Sequence, residues 1–458
     1  MFKSRRHSYR KSRSSLPLLV ILLAIPLILI LLELLTGIGV GIAGKSAELE
    51  AYEGEPAIVT AYRLKFLGQN QQPYDGLSDR GLLAVQRRLA VGYSLVGNQK
   101  SKYWQINQQG FREDEPVPLA KPKDEIRIFL LGGSTAFGQW SPNNQATLAS
   151  KLEARLNERV AQQKRSPEKY RPTVLPYYKT DLDKALTLPL RIRDGEYHVI
   201  NAAVPGYTSG NELAQLALQI LPYSPDVVLV LDGYTDLLLP SNQTEMDIPH
   251  TEAFLKDAPG HFWTYLSQRL QHFVTNTSLV KATQYFLLKP QPSVSQRSLV
   301  IIDQAEPLEQ YLAADTAELE HRVTRYRDHL RQMVQLMAGA KIPLIAALQP
   351  EITGRGTSQL SPNKQEQAVL KELSPIYKQR VQTGYAQLAE VSQQIQQGFP
   401  KNFIALNFSK LYENFPHRAF YDAVHLTEEA NSELAERFYR SLTTLPKLQV
   451  APPKPPLS

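Results

Sequence analysis

The chain has 458 residues, 43% of them hydrophobic, enough for one large or two modest cores and incompatible with a disordered chain. Six basic residues of the formal +7 (Lys3, Arg5, Arg6, Arg10, Lys11 and Arg13) fall in the first fifteen positions, which leaves +1 for the remainder and no basic surface on which to expect nucleic acid. The absence of cysteine excludes disulfides, thiol nucleophiles and cysteine-based metal sites.

In chain order, residues 1–15 form a basic tail, expected on the cytoplasmic side. Residues 16–36 are almost wholly apolar, with one acid, Glu33, near the far end. Twenty such residues span a bilayer, and the run exceeds the roughly 7–15 apolar residues of a cleaved signal peptide. An uncleaved anchor is therefore expected. The basic cluster precedes it, so everything after it should be exported. Residues 37–123 mix short apolar runs with Gly, Gln and Asn and read as a membrane-proximal stalk or accessory region, with Pro116–Lys123 as the linker into the next domain.

From residue 124 to 445 strands alternate with helices, the mark of a parallel sheet covered by helices. The predicted strands are Ile126–Leu131, Tyr197–Ala203, Asp226–Leu231, Pro343–Leu348 and Phe403–Leu406. Between them, Leu148, Leu152, Leu156 and Val160 recur every four residues on one helical face, and a long amphipathic helix runs from a cap at Asp315 to Gly339. Such a chain forms an α/β domain, a flavodoxin-like three-layer sandwich, whose ligands sit at the carboxyl ends of the strands. Stretches near 163–194 and 240–310 interrupt the rhythm. The second carries His261, Phe262, Trp263, Tyr265, Phe273, Tyr285 and Phe286, which fits either a helical cap over the site or a satellite core. Residues 446–458 form a Pro-rich tail.

The chemistry gathers at those carboxyl ends. Gly132-Gly133-Ser134 follows the first strand, placing a hydroxyl where the backbone turns sharply and amides are free. Gly206 ends the second strand. Asp232-Gly-Tyr-Thr-Asp236 follows the third, and Asp236 is a possible helix cap. Asp422 and His425 lie three apart, just before a helix that Thr427 caps; on a helical turn that spacing puts carboxylate and imidazole on one face. A serine, a histidine and a carboxylate together suit nucleophilic catalysis. No His-Glu-x-x-His or phosphate-binding glycine loop occurs, so neither a metal nor another cofactor is expected.

Together these blocks resemble the SGNH hydrolases, or GDSL-like lipases and esterases. Gly132-Gly133-Ser134 with Gly138 is similar to that family's first block, Gly206 to its second, Gly233-Tyr234-Thr235-Asp236 to its third, and Asp422-x-x-His425 to its fifth. The resemblance implies Ser134 as nucleophile, His425 as base and Asp422 as its partner, with an oxyanion hole from the Ser134 and Gly206 amides. The third donor is normally an Asn side chain, where Thr235 stands here. A threonine hydroxyl can donate in its place, or Asn201 or Asn211 could be recruited. The function so implied is a membrane-anchored ester hydrolase or acyl transferase acting on an acylated envelope glycan or lipid. The alternative is a binding or assembly module that keeps the fold with a weakened site.

Overall fold

A computed structural model describes residues 18–68, 81–244, 263, 266–267, 269–270, 273–300, 306–355 and 363–450. The basic tail, the Ala451–Ser458 end and, within the long insertion, His261, Phe262 and Tyr265 lie outside the described residues. Residues 1–57 and 265–291 group as one compact unit, and 58–264 with 292–458 as the other.

The larger unit is built on five parallel strands: β6 (Glu125–Gly132), β7 (Glu196–Asn201), β8 (Val227–Asp232), β9 (Leu344–Leu348) and β10 (Phe403–Asn407), numbered after five short strands upstream. Their spatial order is β10-β9-β8-β6-β7. In chain rank this is the 2-1-3-4-5 order of flavodoxin-like sheets read from the other edge. Ile128 to Leu131 and Val227 to Leu231 are fully buried, as expected of strands covered on both faces. One layer is the helix Leu148–Arg165 packed along Glu428–Thr443. The other comprises Ser209–Gln215, Thr316–Gly339 and Pro375–Gly398. The expected caps form, the side chains of Asp315 and Thr427 accepting from the amides of Glu318 and Ala430, and Thr147, not among the expected caps, accepts from Ser150.

Strand order reverses around β6, which pairs in parallel with β7 on one side and β8 on the other, Gly132 opposite Leu231. This switch point opens a crevice beyond the ends of β6 and β8. Ser134 and Thr235 follow those two ends.

The accessory region expected over 37–123 divides near residue 57. From Ile58 the chain folds with the α/β unit as a small sheet of β1 (Leu64–Leu67), β2 (Leu83–Arg88) and β3 (Gly92–Leu95), then a ribbon of β4 (Gln99–Lys100) and β5 (Gln105–Ile106). The tail expected from residue 446 is docked as far as Val450, whose amide donates to Arg191 O.

In the smaller unit a helix covers Leu18–Ile42, six residues past the expected end of the anchor, with Pro26 inside it. Leu22–Ile42 is long and apolar enough to cross a membrane, with mean hydropathy 2.4 and most of its surface bare. Of the aromatic insertion, Tyr285 and Phe286 pack edge to face at 4.9 Å in this unit, and the Tyr285 hydroxyl donates to Glu48.

Candidate active site

The turn after β6 is set by Gly132, whose φ of +146° is open to glycine alone; a Cβ there would lie 2.4 Å from Leu231 O. The chain then enters a single helical turn, Ser134–Phe137, with Ser134 first and nearly buried. A Cβ on Gly133 would meet Tyr207 O at 3.2 Å and Thr235 Oγ1 at 3.5 Å. The β6 turn, the Gly206 loop and the Thr235 hydroxyl thus converge.

Arg112 secures the turn from behind. Its guanidinium, buried, donates to Phe137 O at 3.0 Å and Gly138 O at 2.8 Å, placing a cation where helical carbonyls end. The Gly206 loop is held by the small sheet: Tyr93 Oη donates to Pro205 O at 2.6 Å, Tyr207 Oη to Tyr93 O, and the Asn211 amide to Val91 O at 2.8 Å. Gly206 itself has φ +87°. Asn211 and Asn201 are both committed, the latter to Phe137 O at 3.2 Å. Neither replaces the missing Asn, which leaves Thr235 nearest the turn.

Asp422 and His425 are fully buried, with Nδ1 of the imidazole 2.8 Å from Asp422 Oδ2. The expected helical turn is absent. The pair sits in a bend between the bridged residues Phe420 and Leu426, closed by Tyr421 N donating to His425 O and Thr427 N to Ala419 O. What joins them is the carboxylate itself: Oδ1 accepts from the amides of Val424 and His425, both at 3.0 Å, an Asx-type closure that aims Oδ2 at the ring. Burial alone would raise the Asp422 pKa. The His425 charge, its hydrogen bond and the two amides outweigh that and hold the carboxyl at about 2. The other ring nitrogen, Nε2, is buried with no hydrogen-bond partner among the described residues. The Ser134 hydroxyl makes no hydrogen bond to it here. The two loops are nonetheless tied: Gln349 Nε2 donates to Thr135 Oγ1 at 3.0 Å and Thr135 Oγ1 donates to Val424 O at 3.2 Å.

Sequence reasoning missed Trp140. Its indole N–H donates to Asp422 Oδ2 at 2.7 Å and lies 3.1 Å from His425 Nδ1, and its ring meets the imidazole edge to face at 5.7 Å. Its φ of +68° is costly for a bulky residue, so the surroundings impose the conformation. Glu366 was also missed: it accepts from the amides of Ala419 and Phe420 and pairs with Arg355 at 3.0 Å, bracing the His425 loop from within the core. Asp236 does cap a helix, but a neighbouring one, accepting from Ser209 N and Oγ. His417 is exposed, and no metal-ligand group exists among the described residues.

No family model matches the chain, and no curated protein is significantly similar to it. Among solved structures it is similar to a lipase/acylhydrolase from Enterococcus faecalis at 13% identity, covering 69% of this chain and 95% of that one, TM-score 0.33. A GDSL-like lipase from Bacteroides thetaiotaomicron matches at 10% identity over 70% and 90%, TM-score 0.30. An acetyl xylan esterase variant from Geobacillus stearothermophilus matches at 13% identity over 72% and 98%, TM-score 0.32.

Proposed function

We propose that the chain is a membrane-anchored serine ester hydrolase or acyl transferase acting on an acylated envelope glycan or lipid outside the cytoplasm. The observation that carries this reading is the buried Asp422–His425 pair with an unpartnered Nε2, beside the turn that carries Ser134. Nε2 takes the Ser134 proton as Oγ attacks the ester carbonyl carbon, and the carbonyl oxygen becomes an oxyanion facing the Ser134 and Gly206 amides and the Thr235 hydroxyl. The imidazolium then protonates the departing alkoxide, leaving an acyl-Ser134. Water, or a sugar hydroxyl, loses its proton to His425 and attacks that ester, releasing a free acid or a new ester and restoring the serine. Asp422 keeps the proton on Nδ1 throughout. The helix Leu18–Ile42 is the anchor, its basic tail inside and the α/β unit outside.

Thr235 favours a second reading, a glycan-binding module with a degraded site, since losing one oxyanion donor costs about 3–4 kcal/mol. Labelling of the full chain in detergent with a serine-directed fluorophosphonate separates the two. The wild-type chain should label and Ser134→Ala should not. Labelling that persists in Ser134→Ala removes the nucleophile assignment; an unlabelled wild type that still binds acylated glycan supports the module.

A further inference from the structure

We propose that residues 273–285 enter the bilayer beside the N-terminal helix, forming a second, re-entrant membrane element. This rests on the reading of Leu18–Ile42 as a membrane span. The first observation is Glu33, the one acid in that helix. An ionised side chain among apolar residues needs a partner in lipid, because water is absent there. Its partners come from the insertion: Oε1 accepts from Ser278 N at 2.6 Å and Oε2 from Leu279 N at 2.8 Å, so the carboxylate caps the helix that starts at Ser278. Glu33 lies midway along the apolar stretch Leu22–Ile42, so the start of that helix is held at the same depth.

The chain then climbs. Seven residues on, at about 1.5 Å each, it rises roughly 10 Å. There Tyr285 Oη donates to Glu48 at 2.9 Å, and Lys281 Nζ, between the two levels, donates to Glu50 O at 2.9 Å. Glu48 and Glu50 belong to the polar segment that follows the apolar helix, so the element leaves the lipid where that helix does.

The second observation is what this element shows to its surroundings. Before the tip, Leu266, Leu270, Phe273 and Val274 follow helical spacing on one face, and Leu270 and Phe273 are 65% and 73% exposed. Past Tyr285, where the element reaches the interface, Leu287 and Leu288 are 77% and 68% exposed. A water-facing surface rarely gathers so many large apolar side chains in one short segment. The helix it packs on is bare and apolar in the same way. Lipid acyl chains are the occupant common to both.

The cysteine-free chain makes the test direct, because one introduced thiol is unique. Full-length Phe273→Cys, Val274→Cys, Leu27→Cys and Tyr177→Cys chains are reconstituted in phosphatidylcholine–phosphatidylglycerol nanodiscs. Each is treated with a membrane-impermeant maleimide, or pre-labelled with an environment-sensitive dye and exposed to acyl-chain nitroxide lipid. Positions 273, 274 and 27 should react at least tenfold more slowly than 177, and dyes there should be quenched. If 27 is protected while 273 and 274 react as fast as 177, the insertion is not in lipid and the anchor stands. If 27 also reacts freely, the anchor itself falls. Protection at 273 and 274 without quenching means that protein covers them, which overturns the proposal.

Discussion

Two sets of buried carboxylates flank the same sheet and meet burial in opposite ways. Asp422 accepts four hydrogen bonds and stays ionised, with a pKa of about 2. Glu212, Asp232 and Asp236, equally buried, lie close enough to repel one another. Burial and the neighbouring acids push Asp232 up to about 8 and Glu212 well above the ordinary range. Both oxygens of Glu212 and Asp232 Oδ2 lack a donor among the described residues, a lack that protonation of one of the two carboxyls would meet. What separates the sets is donors. Backbone amides, an imidazole and an indole converge on Asp422, so its charge can serve a reaction. Carboxyls face carboxyls in the triad of acids, so its proton serves the fold.

The most forceful way to break this contrast is to remove the charge at Asp422 while keeping its shape. Asp422→Asn should lower kcat by about 10⁴-fold by favouring the wrong histidine tautomer. Ester turnover measured under saturating substrate checks this, and a loss below tenfold would mean that the carboxylate does not orient His425.

The second way sets stability against pH. The raised pKa of Asp232 contributes stability that is complete below its unfolded value of 3.8 and is lost as pH climbs through about 8. Asp422, with its lowered pKa, does the reverse: its contribution is present above 3.8 and disappears as pH falls through about 2. The urea midpoint should therefore fall from pH 5 to pH 8, and Glu212→Gln, which gives Asp232 a permanent donor, should at least halve that fall. A midpoint that rises over the same range would contradict that protonation.

The smallest effect sharpens the comparison at one hydrogen bond. Trp140→Phe removes the indole donor but keeps the ring, so kcat should drop about tenfold, in line with a neutral-to-charged hydrogen bond of about 1.5 kcal/mol. The acid limb of the pH–rate profile should shift as Asp422 and His425 lose their common neighbour. A lower kcat with an unmoved limb would make Trp140 a packing residue only.

How much of this is legible in the sequence follows from how local each feature is. All five strands fall within two residues of expectation, and β6, β8 and β9, buried along almost their whole length, declare themselves by apolar composition alone. Asp422 and His425 are legible as a pair, yet their geometry is not: the spacing fits a helical turn, whereas the carboxylate's capping of its own amides makes a bend. Trp140 leaves no trace, since its bond to Asp422 crosses 282 residues. Nor does the acid cluster, for Glu212 fits an amphipathic helix and Asp232 a strand end, and only the packing of Ser209–Gln215 against Thr316–Gly339 brings burial. The pairing of the insertion with the N-terminal helix is equally silent, because an acid in an apolar run does not say which amides will meet it.

That last pairing gives the molecule an order of manufacture. Glu33 emerges from the ribosome 245 residues ahead of Ser278. At roughly 5–20 residues per second the first helix waits about 12 to 50 seconds with its acid uncapped. During that interval the Glu33 carboxyl lacks the Ser278 and Leu279 amides that meet it in the finished chain. Any chain that stops before residue 278 leaves it uncapped.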